Sequence, residues 1–194
     1  MRKWSFPVFI AALWAGLASP VSAGGFHYEI DVTSQLVEDS AGNLTGLRLG
    51  WLYDQAVSEV LLDGEDLSAG QRAATLKLVA ERIITDLYDY RYYTHLKMGG
   101  QESQFVTVTD YRLDLTPDKR LKLDFLLPLA KPLTLAGKQL DIELIDPAGT
   151  GVLLYRSAND VSTGPTRANC QITLEAYPDY AHGEAPQTAH LQCQ

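Results

Sequence analysis

The sequence predicts an α+β domain: a mostly antiparallel, sandwich-like β-sheet fold with one or two amphipathic helices inserted after the second strand. Three observations carry this. Short apolar–polar alternations recur along most of the chain, most of them closed by Gly-, Pro- or Asp-rich turns. Within residues 68–93 the period changes, and Leu76, Val79, Ala80, Ile83, Ile84 and Leu87 recur at helical spacing opposite Arg72, Lys77, Glu81, Arg82 and Asp86. From Tyr90 onward the pattern is almost all strand, which places the helices early in one domain.

The chain opens with Arg2 and Lys3, an apolar run over residues 7–17, and small residues at Val21-Ser22-Ala23. The run is shorter than the roughly 20 residues a bilayer span needs. It reads as a secretory leader cleaved after Ala23. Residues 24–176 are then expected as a single domain, and residues 177–194 as a polar, loose tail.

In the mature part, Phe26, Tyr28, Ile30 and Val32 alternate with His27, Glu29, Asp31 and Thr33, a half-buried strand. Asp39-Ser40-Ala41-Gly42-Asn43 is a turn, and Leu47, Leu49, Trp51 and Tyr53 share one face of the next strand. Asp54 is placed to cap a short helix holding Val57, Val60 and Leu61, stopped by Gly64. Ser68 with Gln71 three residues on is a capping-box pattern that starts the long helix. A strand over 90–98 turns at Gly99-Gly100 into a second over 105–108. Tyr111, Leu113 and Leu115 turn through Thr116-Pro117-Asp118-Lys119 into Leu121, Leu123, Phe125 and Leu127, with Pro128 and Pro132 expected to end that strand. Leu140, Ile142 and Leu144 follow, then the turn Asp146-Pro147-Ala148-Gly149, a short strand over 152–155, and a last one carrying Cys170, Ile172, Leu174 and Ala176.

Composition narrows the partners. The formal net charge is −8, and it becomes more negative once Arg2 and Lys3 leave with the leader. An acidic chain lacks the basic footprint that nucleic acid or an anionic membrane surface requires. The 2 cysteines, Cys170 and Cys193, read as a disulfide in an oxidising compartment, with a thiolate metal site as the alternative.

Chemistry-bearing motifs are scarce. There is no GxSxG, phosphate-cradling glycine loop, HExxH or CxxC. No enzyme is expected, and a hydrolase ranks last because no nucleophile–base pair is visible. The best local cluster is His27, Glu29 and Asp31, which share a strand face, with His95 able to complete a divalent-metal site for zinc or nickel if its strand pairs with theirs. The alternative is an ordinary solvated strand face. His182 and His190, with Asp179 and Glu184, form a second metal-capable group in the tail, or simply a polar tail. The acidic loop from Asp63 to Ser68 departs from an EF-hand, since Gly64 comes second and Leu67 takes a ligand position, and it reads as a helix connection. Tyr88, Tyr90, Tyr92 and Tyr93 line either a pocket or the seam between helix and sheet.

The order of several short motifs resembles the bacterial exported proteins labelled domain of unknown function 1007. These are Phe26-His27-Tyr28-Glu29-Ile30-Asp31, Trp51-Leu52-Tyr53-Asp54, Leu87-Tyr88-Asp89-Tyr90 with Tyr93-Thr94, the stretch 123–132, Asp146-Pro147 and the late Cys170. The resemblance covers nearly the whole mature chain. It implies a periplasmic, non-enzymatic binding or accessory protein linked to zinc, nickel or cobalt transport, with an inner-membrane metal transporter as partner. His27 matches the second histidine of the family's opening His-Pro-His-like motif, whereas Gly25 replaces the first. The family's acidic loop is largely lost here, and Ala148-Gly149 stand where relatives carry an aromatic pair after Asp-Pro. From a different class, the alternative is a structural interaction module of the envelope that binds no metal.

Overall fold

In the computed structural model, residues 28–135, 137–164, 170–177 and 186–193 are described. The expected leader, its cleavage site, His27 and His182 lie outside them. Strand β1 (Tyr28–Glu38) buries Ile30, Val32, Ser34 and Leu36 in strict alternation. It pairs antiparallel with β2 (Leu44–Tyr53), whose Leu47, Leu49, Trp51 and Tyr53 are buried as the period-two pattern predicts. The turn between them closes on the Asp39 carboxylate, which accepts the Ala41 and Asn43 amides at 2.9 Å.

Asp54 caps α1 (Gln55–Leu61), its Oδ1 accepting the Val57 amide at 2.8 Å. The long helix α2 (Arg72–Tyr88) begins later than its capping-box pattern predicts. The Ser68 carbonyl accepts both the Gln71 and Arg72 amides in a turn, and Thr75 Oγ1 donates to the Asp66 carbonyl, so no side chain caps the helix at Gln71. Leu76, Val79, Ala80, Ile83, Ile84 and Leu87 are the buried apolar stripe. Nor does α2 run straight into a strand. Arg91, Tyr92 and Tyr93 all adopt the left-handed conformation (φ 55, 54 and 52°), and β3 (Thr94–Met98) starts only after them.

Strand β3 turns through Gly99 and Gly100 into the two-residue β4 (Gln101–Glu102). The strand expected over 105–108 reduces to a single bridge from Phe105 to Leu129. Strand β5 (Tyr111–Leu115) pairs with β6 (Leu121–Leu133), which runs through both prolines rather than ending at Pro128. The reason is position. Leu126 and Ala130 donate to the carbonyls of Asp110 and Gln104, so Pro128 faces the irregular residues 104–110, where no regular ladder needs its missing N–H. Gly46 lies opposite, where a Cβ would come within 2.8 Å of the Leu127 carbonyl oxygen.

The remaining strands are β7 (Gln139–Leu144), β8 (Gly151–Leu154), β9 (Val161–Ser162), β10 (Cys170–Ala176) and β11 (Gln187–Cys193). One sheet has the order β5-β6-β2-β1-β8, with β9 also paired to β1; the other has the order β10-β11-β7-β3-β4. The expected loose tail therefore contains β11, a central strand that buries Ala189, Leu191 and Cys193. Cys170 and Cys193 are cross-strand partners joined by a disulfide. Both sheets and both helices feed one continuous apolar core.

Candidate functional site

The β1 face brings Glu29 and Asp31 together, and what joins them is arginine. Arg156 donates from Nη2 to Glu29 at 3.0 Å and from Nε to Asp31 at 2.6 Å, while Arg120 Nη2 reaches the other Asp31 oxygen at 3.0 Å. Arg120 is itself held by the Tyr53 carbonyl at 2.9 Å. The condition for His95 to join this face is not met. Its strand pairs with β7 and β4 in the second sheet, whereas β1 pairs with β2, β8 and β9. His95 Nδ1 lies 2.8 Å from Glu102 Oε1 instead. Among the described residues, no group of three or more His, Cys, Asp or Glu side chains is arranged to hold a metal ion.

The outer face of the second sheet carries another imidazole. His190, expected in the tail, sits on β11 between Asp141 (2.8 Å from Nδ1) and Glu175 (3.1 Å from Nε2). The hydrogen bond to Asp141, then that to Glu175, raises its pKa against the opposing effect of burial. With a carboxylate at each nitrogen, the ring donates to both when protonated and then acts as a cross-strand strut.

Among the described residues, a roomy concavity lies where α1 and α2 meet the end of β2. It has a volume of about 730 Å³. Its walls include Tyr28, Trp51, Tyr53 and Tyr93, apolar side chains of both helices, and the turn residues Ala148 to Thr150. Local folding explains each placement. Strand alternation turns Trp51 and Tyr53 to the helix-covered face. The left-handed turn puts Tyr92 into the core, where its hydroxyl accepts the Val108 amide, and puts Tyr93 against Trp51, the rings stacked at 6.0 Å and 12°. Gly151 leaves room for the Tyr28 ring, which a Cβ there would meet at 2.7 Å. Burial pushes the Tyr53 and Tyr93 hydroxyls well above the usual phenol range, and Tyr28 follows with Asp146 as a second cause. These hydroxyls stay protonated at neutral pH. Trp51 is completely buried, and its Nε1–H has no hydrogen-bond partner among the described residues.

The expectation for the tyrosine run divides. Tyr92 is core, Tyr93 lines the cleft, and Tyr88 and Tyr90 are exposed. The cleft was not legible as a unit, because its aromatic walls come from β1, β2 and the turn after α2, and each alone reads as core. The available signal was the recurrence of Tyr or Trp at the ends of three elements.

A family model described as a protein of unknown function (DUF1007) matches residues 9–192, nearly the whole chain. No curated protein matches the chain.

Proposed function

The chain belongs to the DUF1007 family of proteins of unknown function, and from that premise we propose that it is an exported, non-enzymatic binding protein serving an envelope transport system. The observation that supports this reading is the cleft. Its volume of about 730 Å³, aromatic and aliphatic walls and few polar groups match the usual character of a small-molecule site. Export is supported by the leader pattern ending at Ala23 and by the Cys170–Cys193 bridge, which suits the oxidising periplasm.

The transition-metal side of the proposal, zinc, nickel or cobalt passed to an inner-membrane transporter, rests on the family resemblance and on His27. At Glu29 and Asp31 a cation has to displace guanidinium groups already bonded to them. This favours the cleft over the β1 face as the place of recognition. A structural interaction module of the envelope is the second reading, favoured by Val60, Leu78, Tyr88 and Tyr90, which stand exposed on or just after the helices.

Calorimetric titration with zinc and nickel, run beside a His27→Ala variant, separates these readings. The cleft reading expects no saturable, near-stoichiometric binding that depends on His27. Binding that falls tenfold in the variant, about 1.4 kcal/mol, would move the functional site to the start of β1.

A further inference from the structure

Strand β5 is a free end of its sheet, and its register shows which backbone groups that end presents. Among the described residues it pairs with β6 alone, Tyr111 opposite Phe125 and Leu115 opposite Leu121. Just before β5, Leu126 donates to the Asp110 carbonyl; just after it, Thr116 donates to the Arg120 carbonyl. Both bonds belong to the same antiparallel register. In such a register, hydrogen-bonded pairs alternate with pairs whose N–H and C=O point away from the partner strand. Arg112 and Asp114 therefore direct their backbone groups to β6, while Tyr111, Leu113 and Leu115 turn theirs outward. Arg72 agrees with this direction, since its Nη2 reaches the Leu115 carbonyl from α2 at 3.5 Å.

Beside that edge lies a groove of about 480 Å³, bounded by β5 on one side and α2 on the other. Small residues keep the helix wall low, Ala73 and Ala80 on α2 and Ala69 just before it, and Tyr111 to Asp114 form the strand wall. A strand edge with outward amides and carbonyls next to a groove is the geometry that receives an added strand. Charge then selects which strand. Arg72, Lys77 and Arg112 line the groove against a single carboxylate, Asp114, which is already bridged to Arg112 at 2.8 Å. In a chain of formal net charge −8 this is a local excess of cations. It attracts acidic segments and repels basic ones.

We propose that β5 is a docking edge, where an extended, acidic segment of a partner protein adds to the sheet as a strand in the groove beside α2. Main-chain bonds to Tyr111 and Leu113 hold the segment, and Arg72 and Lys77 face its carboxylates. This goes beyond the cleft reading. The groove uses the first half of α2 and shares no lining residue with the cleft, which uses the last turns of that helix.

Fluorescence anisotropy of a labelled, end-capped peptide of alternating valine and glutamate tests this on the full chain, expressed for export. The peptide is expected to bind saturably. Arg72→Glu with Lys77→Glu, both at exposed positions, is expected to weaken it at least tenfold. A matching valine–lysine peptide is expected to bind the parent at least tenfold more weakly. Peptides N-methylated at every valine, or at every glutamate, each lose the amides of one strand edge. One of the two is expected to lose binding, because only one edge faces β5.

No saturable binding of the valine–glutamate peptide, or binding that the double charge reversal leaves unchanged, overturns the proposal. Equal binding of the lysine peptide overturns the acidic partner, and full binding of both N-methylated peptides overturns strand addition. Sedimentation of the parent alone reads the other occupant: a dimer that the double charge reversal dissociates would seat a second copy of this chain on β5 and overturn the proposal. The peptide comparisons use the unaltered protein, so they decide the question even if the double variant fails to fold.

Discussion

Asp146 shows how much one side chain can organise. The residue is 4% exposed, and its carboxylate accepts the amides of Ala148 (2.8 Å), Thr150 (3.1 Å) and Gly151 (2.8 Å) and the Thr150 hydroxyl (2.7 Å). These donors build the turn that walls one side of the cleft. Asp146→Ala leaves them without a partner and is expected to destabilise the fold by about 2–4 kcal/mol, read as a lower urea midpoint. A variant within about 0.5 kcal/mol of the parent would contradict that role. His190 is the other instructive residue. Its folded-state pKa is raised by Asp141 first and Glu175 second, so the stability it contributes is fully present below its ordinary value of about 6.5 and is lost as pH rises through the folded-state pKa. The pair is partly exposed, which screens the effect to below about 1 kcal/mol. Stability of the parent is expected to decline as pH rises above about 6.5 by an amount that disappears in His190→Gln; equal slopes for both proteins would contradict it. The sequence marked Asp146 as a turn residue because Asp-Pro-Ala-Gly is local chemistry. It placed His190 in a tail because the bracketing carboxylates come from β7 and β10, far along the chain.

Elements whose signal is local were legible. The alternation of β1 and β2, the Asp54 cap and the apolar stripe of α2 all reappear in the structure. β11 was not, because its buried face consists of Ala189, Leu191 and Cys193 while Thr188, His190 and Gln192 look outward. A single strongly apolar side chain carries that face, and the strand's security comes from having partners on both edges. β6 was cut short at Pro128 because proline's penalty depends on which neighbour its nitrogen faces, something only the tertiary fold defines. The disulfide takes its meaning at this scale too. It fastens edge strand β10 to central strand β11 instead of tethering a loose end. Opening the loop between cysteines 23 residues apart in a Cys170→Ser/Cys193→Ser variant is expected to cost about 3 kcal/mol, with β10 the first element to gain hydrogen exchange. Exchange unchanged at β10 would contradict the fastening role.

At the scale of the whole molecule, the α+β class follows from the sequence because nearly every strand ends in its own turn. Pairing across the chain does not follow. β1 runs parallel to β8 and β9, and β3 lies in the other sheet from β1, so His95 never joins the face that Glu29 and Asp31 share. Conversely, Tyr28, Trp51 and Tyr93 meet because β1, β2 and the turn after α2 end at the same place. That convergence, between the helices and the end of a sheet, is where the account locates binding. The most direct test is binding of prodan, an uncharged naphthyl ketone, read as energy transfer from Trp51 in the full chain with Trp4→Phe and Trp14→Phe, beside Ala148→Leu, which fills the cleft from its turn wall. If the cleft is the binding site, transfer saturates and Ala148→Leu weakens it at least tenfold. Absent binding, or binding that Ala148→Leu leaves unchanged, would contradict it.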